Sequence, residues 1–245
     1  MSSPLSDSVM RIRTRLMNQA ECPKRIASTA LRYTLYALMM GVMMYAVTMK
    51  AVSHPLCHLF DEHSLVETLQ VSLLFLTVLS GFCVGCLEPR KQALSILVMG
   101  AGAIAFIREF DAGLDVILSD GAWQLLAAAI AVATLVGVRR FARDLTYSLY
   151  AFLRTPGFGI MFGGFMVVFV FSRLMGQQVF WKAVMAEGYM RVVKDAVEEG
   201  LELSGYALIL VGTLECLWET YWGVHHVRKK TDSGEDTSGQ VPMGS

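Results

Sequence analysis

Residues 65–87 read LVETLQVSLLFLTVLSGFCVGCL. After Gln70 the stretch carries no charge and no proline. A helix rising about 1.5 Å per residue needs about 20 apolar residues to cross about 30 Å of hydrocarbon, and this run is long enough. Near its start, Glu67 and Gln70 are three apart and share one helical face. The reading is a membrane span with a polar head at one end.

Outward from this run the same pattern recurs. Spans are predicted at about Leu31–Val52, Leu65–Leu87, Ala93–Ile117, Ala122–Val138, Phe158–Met175 and Leu201–Trp222. Hydrocarbon offers the backbone no hydrogen bonds, so uninterrupted apolar runs must close their own as helices. The strict alternation of a barrel strand is absent. Of the 245 residues 54% are hydrophobic, well above a soluble domain of this length. The expected fold is all-α: a polytopic bundle of six transmembrane helices with short interfacial helices beside it.

Formal net charge is zero, which removes the basic footprint of a nucleic-acid binder. The position of the charges gives the orientation. Of 21 Lys and Arg, only Lys50, Lys182, Arg191 and Lys194 fall on one side, and Arg108 and Arg173 within spans. All others fall on the opposite side, which the positive-inside rule makes cytoplasmic. Both termini are then inside. With Asn18 the only Asn, and in no glycosylation sequon, the expected location is a bacterial inner membrane.

Three regions follow. Residues 1–30 form a basic segment, with 9–27 read as an interfacial helix on anionic lipid. Residues 31–227 form the six-helix domain, and 228–245 a polar, disordered cytoplasmic tail. Arg139–Arg154 and Gln178–Val197 carry aromatic and aliphatic residues among charges and are read as surface-lying segments. Cys83 and Cys86 form a CxxC within an apolar helix, read as packing. Gly81-x3-Gly85 and Gly159-x3-Gly163 permit close helix approach.

The third span holds the information about function. From Ala93 to Ile107 it is too short to cross, so the helix is expected to continue through Arg108, Glu109, Asp111 and Asp115. A charge near the bilayer centre costs about 2.5–3.5 kcal/mol on the insertion scale, so these side chains should face other helices. Arg108, Asp111 and Asp115 lie on one stripe; Glu109 needs another neighbour. Partners at similar depth are Glu62, Glu67 and Gln70 at the head of the second span, Arg173 in the fifth, and Glu198, Glu199 and Glu202 in the sixth. Seven carboxylates (Glu67, Glu109, Asp111, Asp115, Glu198, Glu199 and Glu202) face two arginines. Protonation, a bound divalent cation, or helix-end acids pointing into water would relieve that excess, the last chiefly for Asp115, Glu198 and Glu199.

His54, His58 and His63 crowd the first outer loop with Cys57, Asp61 and Glu62. His54 and His58 are four apart, a spacing that suits two metal ligands on one turn, although Pro55 interrupts it. Glu215 and Glu219 mark the inner end of the last span beside Trp218, Tyr221 and Trp222, an aromatic belt.

Three functions fit. The first is binding or translocation of a proton or cation at the outer acidic cluster. The second is a membrane-embedded, metal-dependent enzyme acting on a lipid or isoprenoid head group. The third is a non-catalytic structural or sensor subunit. The partners expected are the lipid bilayer and a second copy or another membrane subunit. No Ser-His-Asp array, HExxH or phosphate-binding glycine loop is present to favour catalysis.

Overall fold

In a computed structural model of the chain, residues 4–53, 65–110 and 122–232 are described, with side chains over 26–53, 65–110 and 123–225. The described elements are all helical. Among the described residues six helices are long and apolar enough to cross a membrane: Ile26–Ser53, Leu65–Leu87, Pro89–Glu109, Trp123–Arg140, Pro156–Met175 and Arg191–His225.

The chain divides into two units, Met1–Lys50 and Ala51–Ser245. The first is one continuous helix, α1 (Pro4–Ser53, 50 residues). The basic segment therefore runs straight into the first span, without the separate interfacial helix expected over 9–27. Pro23 removes one backbone donor from α1, yet the helix continues through it.

The second unit is built around α8 (Arg191–Asp232), whose span segment is two-thirds buried by its neighbours. It begins ten residues earlier than the sequence suggested. Arg191–Val197 thus belong to it rather than to a surface segment, and its C-terminal end carries Arg228–Asp232, part of the expected tail, in helix. The rest of the expected outer segment holds a short helix, α7 (Gln178–Met185), followed by a 3-10 turn (Ala186–Gly188).

Against α8 pack α2 (Leu65–Leu87) and α6 (Pro156–Met166), the latter continuing through a π-helical turn (Val167–Ser172) and a last α-turn (Arg173–Met175). Thr155 starts α6: its hydroxyl accepts the Phe158 amide at 3.3 Å, and Pro156 occupies the first turn, where its missing N–H costs nothing. The contact between α6 and α8 is glycine on glycine. A Cβ on Gly157 would lie 2.9 Å from the Gly212 carbonyl oxygen, and one on Gly164 would lie 2.7 Å from that of Gly205. The expected pair Gly159 and Gly163 faces open space instead. The helix faces decide this: Gly157, Met161, Gly164 and Val168 repeat at the three-to-four spacing of one stripe, which Gly159 and Gly163 leave.

Next comes α3 (Gln92–Glu109), preceded by a 3-10 turn (Pro89–Lys91) and packed on α2. Here the expected glycines do meet a neighbour: Gly81 faces Met99 and Val98, Gly85 faces Ser95, and the Ser95 hydroxyl donates to the Gly81 carbonyl. The described helix ends at Glu109, with Phe110 as its cap, and the expected continuation through Asp111 and Asp115 lies outside the described residues. The crossing length is recovered at the other end. Pro89 opens the span despite Arg90 and Lys91, so Arg108 and Glu109 form its last turn.

Helix α4 (Ala122–Arg140) packs on α3, with Gly137 against Ile96. The amphipathic α5 (Ala142–Leu153) buries Ser148 and Phe152 against α3, the 3-10 turn and α6. The heads of α2 and α8 and the tails of α3 and α6 therefore share one end of the unit, called here the acidic end.

Candidate functional site

At the acidic end four helices bring their polar residues together. Glu202 is the hub: its side chain is 4% exposed. One oxygen accepts from the Ser172 hydroxyl at 3.0 Å and from the Arg173 guanidinium; the other faces Arg108 Nη2 at 3.3 Å. Burying a carboxylate is expensive unless charge and hydrogen bonds replace its water, and two arginines with a hydroxyl do so here.

Arg108 reaches three groups with the same nitrogen: Glu109 at 2.6 Å, Glu202 at 3.3 Å and the Tyr206 hydroxyl at 3.4 Å. The Tyr206 hydroxyl in turn donates to Glu109 Oε1 at 2.7 Å. Tyr206 stands one turn beyond Glu202 on α8, so the two reach α3 side by side.

A second branch leads away from the hub. Arg173 Nη1 contacts Glu198 at 3.4 Å, and Lys194 Nζ contacts the other Glu198 oxygen at 2.6 Å. Lys194 also meets Asp195 at 2.9 Å, which Arg191 approaches at 3.5 Å. Gly176, just past the end of α6, leaves room for Glu198: a Cβ there would lie 2.6 Å from the carboxylate. The third branch joins α2 to α8, with Gln70 Nε2 donating to Glu199 Oε2 at 2.9 Å. Gln70 is 1% exposed, and Glu67, one turn earlier, is also engaged.

The sequence expected Gln70, Arg108, Glu109, Arg173, Glu198, Glu199 and Glu202 near one another; ion pairs link Arg108, Glu109, Arg173, Glu198 and Glu202, and Gln70 bonds to Glu199 beside them. Glu198 and Glu199, expected to point into water, are half-buried and hydrogen-bonded to Lys194 and to Gln70. The early start of α8 explains this, because it puts a full turn of helix ahead of them. Glu62, Asp111, Asp115, His54, His58 and His63 lie outside the described residues.

Sequence reasoning missed Tyr206, Ser172, Lys194 and Gly176. Two carried a signal: Lys194 lies four residues before Glu198, and Tyr206 four after Glu202. Among the described residues the ion-paired acids Glu109, Asp195, Glu198 and Glu202 meet four cations, Arg108, Arg173, Arg191 and Lys194.

Among the described residues no three His, Cys, Asp or Glu side chains converge as metal ligands. The acids are instead spaced by arginine, lysine, amide and hydroxyl donors. Such an arrangement can fasten helices and hold charge at a fixed depth. At the opposite end Lys91 Nζ donates to Thr220 at 2.8 Å, near Glu88 and Glu219. Glu215 is 2% exposed on α8, deeper than Glu219. Cys83, Cys86 and Cys216 are free thiols.

Among the described residues, fold and site together define a helical protein with six helices fit to span a membrane, carrying an ion-pair network at one end. No protein-family model, curated protein or solved structure matches the chain.

Proposed function

We propose that the chain is a multi-pass protein of a bacterial inner membrane, with both termini cytoplasmic, and that it serves as a non-catalytic structural or sensor subunit. Its partners are the bilayer and another membrane subunit. The network at the acidic end, on the outer side, acts as a lock that holds α2, α3 and α6 to α8. One observation carries this reading: Glu202, the most deeply buried acid of the network, receives two guanidinium groups and a hydroxyl. A carboxylate whose charge is already met by two guanidinium groups offers little attraction to a travelling cation.

The test sets stability against flux. Glu202→Gln should lower the unfolding temperature in lipid nanodiscs. Proteoliposomes of the unaltered protein, loaded with a pH-sensitive or cation-sensitive dye, should show no flux above empty vesicles. Protein-dependent flux that Glu202→Gln abolishes without unfolding the chain would sink the lock and favour transport.

A second reading keeps a proton or cation at Glu199. Among the described residues its side chain is held by the Gln70 amide, not by a cation. Flux lost in Glu199→Gln and retained in Glu202→Gln would select it. The metal-dependent enzyme has no described ligand set to support it.

A further inference from the structure

A cavity of about 210 Å³ lies between α3 and α6, backed by α2 and α8 and closed at the far end by α5. Its shape is a slot. Along α3 it extends from Leu94 to Ala105, which is about 16 Å at 1.5 Å per residue. That matches the depth of one leaflet's hydrocarbon, half of about 30 Å. The slot is also laterally open: Leu97, Phe162 and Phe169 line it while remaining 44%, 51% and 57% exposed.

The lining offers water nothing. Thr77 spends its hydroxyl on the Leu73 carbonyl at 2.9 Å, and Tyr206 gives its own to Glu109. Apolar cavities without spare polar groups stay dry, and an engineered one of about 150 Å³ takes up benzene. An empty slot of this size forfeits dispersion contacts along its whole wall. The upper end begins one turn below Arg108 and Glu109, so a chain inside it would hang directly beneath the polar network.

We propose that this slot binds one acyl chain of a bilayer phospholipid, entering sideways between α3 and α6 with its head group at the level of Arg108. A linear chain fits the long, narrow form; a fused-ring lipid does not. The inference rests on the membrane reading but not on the lock.

The test uses the full chain in phosphatidylcholine nanodiscs whose lipid carries a diazirine at the acyl terminus. After photolysis, adducts are mapped by peptide mass spectrometry. Adducts should concentrate on Ala101, Met161 and Phe162 rather than on Leu79 or Val132, which are exposed elsewhere. Ala101→Phe, which fills the slot, should reduce slot labelling about tenfold, equivalent to about 1.4 kcal/mol of lost binding. Should that variant fail to fold, Ala105→Leu fills less, and the wild-type distribution decides on its own. Even labelling over all lipid-facing residues, or undiminished labelling in the filled variants, would overturn the slot. No labelling on any apolar helix would overturn the membrane reading itself. A polyprenyl lipid retained one-to-one through purification, and lost in Ala101→Phe, would overturn the acyl assignment.

Discussion

The Ser172 hydroxyl donates to Glu202 Oε1 at 3.0 Å from the last residue of a π-helical turn. The turn makes this contact. In a regular α-helix, Ser172 would sit about 40° further round than Val168, drifting off the stripe that faces α8. The wider π winding slows that rotation, and both residues end up buried, Val168 at 1% and Ser172 fully. Such turns often sit at functional positions. Ser172→Ala should destabilise the protein by about 1.5 kcal/mol, the low end for a hydrogen bond to a charged group. Thermal unfolding in nanodiscs measures it; an unchanged midpoint would show that the contact contributes nothing.

Arg108 holds two acids and a phenol, so its removal should cost more than the removal of any one partner. Arg108→Ala should destabilise by about 3 kcal/mol, the low end for breaking a buried pair, because the side chain is 34% exposed. Adding Glu109→Gln to Arg108→Ala should recover part of the loss. A double-mutant cycle reads that coupling, and strict additivity would mean the pair is not a unit.

The glycine contact between α6 and α8 gives a sharper contrast. Gly164→Ala would drive a methyl into the Gly205 backbone and should cost about 1–3 kcal/mol. Gly159→Ala, on the same helix but facing open space, should be neutral or stabilise by up to about 1 kcal/mol through helix propensity. Equal effects at the two positions would mean that α6 and α8 are packed on a different face.

Orientation can be read by accessibility. In a chain whose native cysteines are replaced by serine, Lys182→Cys should react with a membrane-impermeant maleimide added outside intact cells. Arg140→Cys should react only after the cells are opened. Labelling in the reverse order would invert the topology and place the polar network on the cytoplasmic side.

The chain's own periodicities explain what could be foreseen. All six spans were legible, because hydrocarbon forces apolar runs into helices whatever their neighbours are. The boundaries were less so. Arg90 and Lys91 made the third span look short at that end, whereas a 3-10 turn headed by Pro89 takes them in. Gly157 was hidden beside Pro156, in a stretch that reads as a connector. The gathering of Gln70, Arg108, Glu109, Arg173 and Glu202 was legible because charge at that depth must face protein rather than lipid.

By itself the sequence determined the helical class, the six helices long and apolar enough to span a membrane, and the helix ends that carry the polar residues. These depend on the length of apolar runs and on the cost of stranding charge or backbone in hydrocarbon, both local properties. Only the tertiary structure decided which partner each acid takes, that Tyr206, Ser172 and Lys194 join them, and that α3 and α6 stand apart around an apolar slot. Those outcomes depend on helix rotation and on which glycines let two backbones touch, and neither is recorded in the hydropathy of any single segment.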